Sequence, residues 1–300
     1  MSVPFVHHPD YHCELPPGHR FPMGKFRALH AWLLKTGVAR ERDFCRPSRL
    51  GDEVLLKTHE PAYVRAFREN RLDSRAIRKI GLPWSPELVR RTHIAVAGTL
   101  LTARLALRYG LSCNTAGGTH HAFPGHGSGF CIFNDMAVAA TQLVHEQKLG
   151  KILIIDLDVH QGDGTHHICR SNPSIFTLSI HCEKNFPVRR EPGDRDIELP
   201  EGTGDDPYLA TLEEILPPLI EEVDPDLVFY DAGVDVHRDD RIGRFSLSDK
   251  GLERRERFVI ETVRSRGIPL AGVIGGGYDR DLDALVKRHA ILHRVAREFA

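Results

Sequence analysis

Cysteine is scarce in this chain and never set at motif spacing. The six, at 13, 45, 113, 131, 169 and 182, include no C-x-x-C pair. That argues against a disulfide framework and against a thiolate zinc cluster, and fits a reducing, cytoplasmic compartment. Long apolar runs are missing too; none approaches the ~20 residues of a transmembrane helix. Neither sign of charge dominates: 40 Lys and Arg stand against 41 Asp and Glu, a formal net charge of -1. No overall basic field therefore points to direct nucleic-acid binding. The opening residues, MSVPFVHHPDYHCELPPGHRF, show neither the charged nor the apolar region of a secretory signal. Repeats, low-complexity tracts and linker-like stretches are absent, and 300 residues with 41% hydrophobic content are ample for a core, in one large α/β domain or two smaller ones.

Histidine, by contrast, is plentiful, with 18 copies, and two pairs are adjacent: His120–His121 in "GGTHHAFPGHGSGF" and His166–His167 in "GDGTHHICR". Neighbouring residues point in different directions on a helix or a strand, so such a pair suits a loop, either merely solvated or holding two bases over one atom. Spacing alone does not say which pair is catalytic. The second begins what reads as a helix leaving a strand end; the first lies between glycines, which favours it.

The first ~90 residues read as helices and loops, with a helix in "PMGKFRALHAWLLKTG" stopped by Gly37. A long helix starts at Ser85, with Pro86 in its first turn, and ends near Gly110; another follows Asn134 and ends at Gly150. Four short apolar runs then follow: "KILIIDLD", "SIFTLSIH", "DLVFYDAGVD" and "PLAGVIGGGYD". Helical stretches over 208–222, 249–266 and 281–298 separate most of them. This alternation predicts an α/β fold with a central, mostly parallel sheet flanked by helices. Each run ends in Asp, His or Tyr beside Gly, and in open α/β sheets sites lie outside the carboxyl ends of the strands.

"IIDLDVHQGDG" sets Asp156, Asp158 and His160 at alternate positions, which share one side of an extended segment. Asp158 and His160 could bind one ion, with Asp235 of "DAGVDVH" as third ligand and a position left for water, as in catalytic zinc sites. Such ligands also suit Fe(II), Mn(II) or Co(II). Single aspartates of this kind can equally cap helices. As a group with Asp163 they would repel one another in one pocket unless a cation were present.

In chain order, "GGTHHAFPGHGSGFCIFND", "IIDLDVHQGDGTHH", "TLSIH", "YDAGVDVHRDDRIG" and "GGGYD" resemble the active-site motifs of histone-deacetylase-type hydrolases. "GHRFPM" and "GTGDDPY" look more like the class IV and bacterial branch. The resemblance implies a single arginase-like catalytic domain over residues 1–300 and a zinc-dependent deacetylase, with Fe2+ or Co2+ as alternatives. It puts Asp158, His160 and Asp235 on the metal and His120 and His121 on the tandem histidines. Asp156 and Asp163 fall on their carboxylate partners, and Tyr278 on the carbonyl-polarising tyrosine. A structural K+ is implied at Asp156, Asp158, His160, Ser179 and Ile180, and an acyl-lysine tunnel at Gly129, Phe130 and Phe186. Arg20 resembles a basic residue near the inner cavity. Gln161 and the longer loop carrying Arg189 and Arg190 depart from class I enzymes.

The implied substrate is an acylated lysine, in a protein or peptide, with acetyl or a longer acyl group. A small acyl-amine such as an acetylpolyamine is the alternative. In the polyamine-deacetylase branch a glutamate stands where this chain has Ile242, which offers a second ammonium no partner. An arginase-type ureohydrolase would need two manganese ions, and a non-catalytic binding module would tolerate substituted catalytic positions. Oligomeric state is not written in the sequence.

Overall fold

The computed structural model of the protein describes residues 3–147 and 149–299. In chain order, β1 (Phe5–Val6), α1 (Lys25–Lys35) and β2 (Phe44–Cys45) come first. Then follow α2 (Asp52–Leu55), α3 (Pro61–Arg68), α4 (Ser74–Ile80), α5 (Pro86–Tyr109) and β3 (Leu111–Asn114). The alternating part comprises α6 (Asp135–Gln147), β4 (Ile152–Asp156), α7 (Asp163–Cys169), β5 (Ile175–Cys182) and β6 (Arg195–Leu199). It closes with α8 (Asp205–Val223), β7 (Leu227–Asp231), α9 (Asp249–Arg264), β8 (Leu270–Val273) and α10 (Leu282–Glu298). Local punctuation fixes many of these ends. Ser85 accepts from the Leu88 N–H at 3.0 Å with Pro86 opening α5, and Gly110 ends it at φ 88°. Lys148, near the expected end of α6, lies outside the described residues.

The strands form a single α/β domain around one sheet, ordered β2-β1-β3-β8-β7-β4-β5-β6, with every pairing parallel. This is twice the expected number of strands. The first 90 residues, expected to be helical or irregular, contribute β1 and β2, and β3 and β6 carry no strong apolar run. Central β4, β7 and β8 are buried along their whole length, while β6, at the edge, is half-exposed. That is the pattern of a parallel sheet covered on both faces.

After β4 the chain continues outward to β5, and after β7 it continues the opposite way to β8. The loops leaving these adjacent strands therefore diverge, which opens a crevice at their carboxyl ends. In that crevice Asp156 at the end of β4 is level with Asp231 of β7 and Ser179 of β5.

Candidate active site

The loop after β3 is clamped from below. The Asp135 carboxylate at the start of α6 accepts from the N–H groups of Gly118 (3.1 Å) and Thr119 (2.7 Å). Asn134 Nδ2 donates to the carbonyls of His120 and Ala122, and the Thr165 N–H of α7 donates to the His120 carbonyl at 3.0 Å. Held this way, the neighbouring rings face separate carboxylates. His120 Nδ1 lies 2.7 Å from Asp156 Oδ2 and His121 Nδ1 2.7 Å from Asp163 Oδ1, while the two Nε2 atoms approach to 3.1 Å. Asp163 opens α7, so it reaches His121 from a different element than the one holding Asp156.

The two histidines are electrostatically unequal. Burial works against a charge on His120, but the carboxylates of Asp156 and Asp158 outweigh it and hold its pKa well above the ordinary value. His121 is pushed down to about 4 by burial and by the charge on His120, with Asp163 only partly offsetting them. A cationic and a neutral imidazole thus stand side by side.

Asp158 and His160 do not share an extended strand, because β4 ends at Asp156. A turn brings them together instead: Asp158 Oδ1 accepts the His160 N–H at 2.9 Å and lies 2.8 Å from His160 Nδ1. Asp235, from the loop after β7, places Oδ2 3.2 Å from the same nitrogen. Ligand atoms of Asp158, His160 and Asp235 all lie within 4.8 Å of one another, as do those of His120, Asp156 and Asp231. In the second group His120 Nδ1 is already taken by Asp156.

The first trio fits a divalent cation. Asp235 Oδ2 is buried without a hydrogen-bond partner, a costly state for a carboxylate oxygen. Burial and the Asp158 charge push the Asp235 carboxyl up to about 7. Burial opposes a charge on His160, yet its hydrogen bond to Asp158 and the nearby Asp235 carboxylate raise it to about 10. A bound divalent ion would relieve that excess of negative charge. The backbone closes round the trio through the glycine triplet: a Cβ on Gly276 would lie 2.1 Å from Asp235 Oδ2. The triplet is thus more than a helix-entry turn. Its backbone must touch the carboxylates, as the Gly276 N–H does at 2.8 Å from Asp158 Oδ2.

Tyr278 follows that triplet. Asp240 Oδ2 accepts its N–H at 2.7 Å, and among the described residues its hydroxyl has no hydrogen-bond partner. Burial, with the charges of Asp158 and Asp235, keeps the phenol protonated by raising its pKa well above the usual value. Tyr278, His121 and His160 lie on the wall of a cavity of about 760 Å³ that Gly129, Phe130, Phe186 and Ile242 also line. Gly129 and Phe130 both take the left-handed backbone (φ 52° and 66°), and a Cβ on Gly129 would lie 2.7 Å from the His121 ring. Phe186 stands edge-on to His121, with ring centroids 4.8 Å apart.

One expectation changes. Arg20 lies at the outer mouth; Lys25 and Arg91 line the small inner cavity of about 40 Å³. Arg190 does not line the mouth: it pairs with Glu198 at 3.0 Å and donates to the carbonyls of Pro187, Cys182 and Glu183, so it braces the loop that carries Arg189. The pair His166–His167 sits within α7. His166 Nδ1 lies 2.8 Å from Thr177 Oγ1 and His167 Nδ1 3.2 Å from Glu191, away from the trio. Of the residues that the resemblance implies for a potassium ion, Asp156 and Ser179 are register partners on β4 and β5, next to Ile180.

Sequence reasoning passed over Lys25, Asp231 and Asp240. Lys25 is buried, and Nζ donates to the Gly275 carbonyl at 3.1 Å; burial lowers its pKa to about 8 against the opposing pull of Asp235 and Asp158. Asp231 is buried with neither oxygen hydrogen-bonded. Only Asp231 left a sequence signal, as the last residue of an apolar run.

A histone deacetylase domain model matches residues 19–292. An uncharacterized protein of Picosynechococcus sp. is 53% identical over 99% of both chains. Histone deacetylase 2 of Arabidopsis thaliana is 28% identical across 87% of this chain and 70% of its own length. For histone deacetylase 1 of Homo sapiens the identity is 26%, across 87% of this chain and 58% of that one. The crystal structure of the HDA15 HD domain superposes with a TM-score of 0.84 at 22% identity, covering 99% of this chain and 88% of that one, and so shares the fold. No helix among the described residues is long and apolar enough to cross a membrane. With the domain matched across most of its length, the chain belongs to the histone deacetylase family, which supports hydrolytic deacetylation as its chemistry.

Proposed function

We propose that this protein removes a short acyl group, acetyl above all, from the ε-amine of lysine in peptides or proteins. The observation that carries the reading is the apolar passage past Phe130, Phe186 and Ile242 to His121 and Tyr278. A neutral four-carbon stem fits such walls, whereas a polyamine's second ammonium would be desolvated without a partner. The inner cavity, at about 40 Å³, supports a short acyl chain over a long one.

Asp158, His160 and Asp235 would hold a divalent ion, zinc in the first instance, with Fe2+ or Co2+ as alternatives. K+ would sit by Asp156 and Ser179, with the backbone of Asp158, His160 and Ile180. The divalent ion supplies Lewis acidity and lowers the pKa of water. Neutral His121 accepts the proton of the attacking water at Nε2 and later delivers it to the departing amine. His120, held cationic by Asp156, stabilises the negative charge that develops beside it. Tyr278 donates its hydroxyl proton in a hydrogen bond to the carbonyl oxygen. Two carboxylate partners give two adjacent imidazoles different tasks.

His121→Ala is expected to lower turnover at least ~10²-fold, the scale of one acid–base group. His166→Ala and His167→Ala should leave kcat per folded molecule near that of the parent. An inactive but folded His167 variant beside an active His121 variant would reverse the assignment. For the substrate, acetyl-lysine peptides are expected to show higher kcat/KM than acetylspermidine or acetylputrescine assayed side by side. An acetylpolyamine preferred by tenfold or more would overturn the lysine reading.

A further inference from the structure

The mouth of the cavity is ringed by cations without counterions. Arg20, Arg78, Lys79 and Arg189 line it, and Arg241 joins Arg20 in a side pocket of about 190 Å³ completed by Phe130, Ile242 and Tyr278. Among the described residues none of these five stands at ion-pair distance from a carboxylate. Their neighbours do: Arg244 pairs with Glu201 at 3.6 Å, Arg190 with Glu198 at 3.0 Å, and Arg288 with Asp239 at 2.9 Å.

Nearby acids are committed elsewhere. Asp240, next to Arg241, spends its carboxylate on the N–H groups of Ile242, Gly243 and Tyr278. Asp279 pairs with Arg288. Of the two acids lining the main cavity, Asp163 holds His121 and Glu191 lies 3.2 Å from His167. The net charge of the whole chain is -1, so the cationic mouth is a local arrangement and not a general surface property.

Part of this rim is also tied to the tunnel wall. The Gly129 and Phe130 N–H groups donate to the carbonyls of Lys79 and Ile80 at 3.2 and 2.7 Å, which ties the end of α4 to the tunnel wall. The Arg20 guanidinium lies 6.0 Å from the centre of the Phe130 ring.

We propose that the mouth selects acyl-amines bearing a carboxylate beside the outer end of the stem, and that Arg20 and Arg241 hold that carboxylate between them. Converging like charges in a cleft focus an attractive potential on anions. Paired guanidinium forks match the planar geometry of a carboxylate better than ammonium groups do. Because Phe130, Ile242 and Tyr278 border both cavities, a stem in the tunnel brings its outer end to the side pocket. The carboxylate can be the α-carboxylate of a free or C-terminal acyl-lysine, or an acidic side chain next to the acyl-lysine in a peptide. This inference rests on the acyl-lysine reading and specifies its substrates.

The test uses the full, metal-loaded chain. One arm compares acetyl-lysine peptides flanked by Asp, Asn or Lys; the other compares free Nε-acetyl-lysine with its amide. In at least one arm the carboxylate form is expected to win by about fivefold or more in kcat/KM, chiefly through KM, with the advantage shrinking as salt rises. The arm that shows it identifies the source. In Arg20→Gln/Arg241→Gln that ratio should fall to within about twofold. Cleavage of the neutral substrates with a smaller advantage in both arms overturns the selectivity and leaves the acyl-lysine reading standing. A preference that survives in the double variant overturns the assignment to these two arginines. Failure to cleave any acetyl-lysine substrate overturns both readings.

Discussion

Asp235→Ala is expected to abolish turnover and to lose its divalent ion in the same step. Elemental analysis of the parent should give one divalent ion per chain; the variant should give close to none after dialysis. Two ligands that began as a buried trio cannot close a site meant for three and a water. The alanine also removes the acceptor of the Val159 N–H, bonded to Asp235 Oδ1 at 2.9 Å. Leaving that buried donor unpaired costs about 1–3 kcal/mol, so a loss of fold could imitate a loss of metal. Asp235→Asn separates the two, since its amide oxygen still accepts from Val159 but is a poor ligand. That variant should fold with a near-parental melting temperature and still lack its ion. Full occupancy with normal turnover in either variant would remove Asp235 from the site. Two divalent ions per parent chain would instead favour the ureohydrolase alternative and draw in His120, Asp156 and Asp231, whose ligand atoms also converge.

How much of this was legible in the sequence depends on how local each signal is. The runs ending in Asp156, Asp231 and Tyr278 betray themselves, because a buried parallel strand is apolar until it emerges, and the polar residue marks the edge. β1 and β2, two residues each, carry no periodicity at all, and β6, "RDIEL", is a half-exposed edge strand that reads as a polar loop. Asp158 and His160 lie together, but not through the strand alternation that their spacing suggests. An Asp158 side chain folding back onto the His160 N–H does what strand alternation was expected to do. Lys25 had no local signature, since a lysine at the start of an amphipathic helix reads as surface. It is buried because its partners, the carbonyls of Gly275 and Gly277, arrive from the other end of the chain. Arg20, five positions earlier, carries the same charge but stays exposed, and only the packing of α1 under the glycine triplet distinguishes the two.

The unequal charges on the histidine pair follow from the same topology. Asp156 ends β4 and Asp158 follows it in the turn beyond the strand, so two buried carboxylates lie near His120. Asp163 has moved on to α7 and reaches only His121 at short range. One base beside two acids becomes a cation, and its neighbour, facing that cation, stays neutral. The carboxylates at the end of β4, rather than any property of the "HH" dipeptide, therefore divide the labour.

Tyr278→Phe should keep its fold and its metal and yet lose at least ~10²-fold in kcat, the scale measured for one oxyanion donor and equivalent to ~3–4 kcal/mol. The substitution removes a single oxygen. Nothing in the packing depends on that atom: among the described residues the hydroxyl has no hydrogen-bond partner, and the ring itself is held by Phe130 and Phe21 at centroid distances of 5.8 and 6.3 Å. The backbone is fixed separately through the bond from the Tyr278 N–H to Asp240. Phenylalanine therefore inherits the position without the donor. Because the phenol's pKa is raised, the tyrosine is a proton donor throughout the working pH range, and the deficit should not be recovered by changing pH. KM for an acetyl-lysine peptide should move far less than kcat, since the hydrogen bond strengthens as negative charge grows on the carbonyl oxygen. A variant that binds metal normally and retains kcat within about threefold would show that the oxyanion is stabilised without Tyr278.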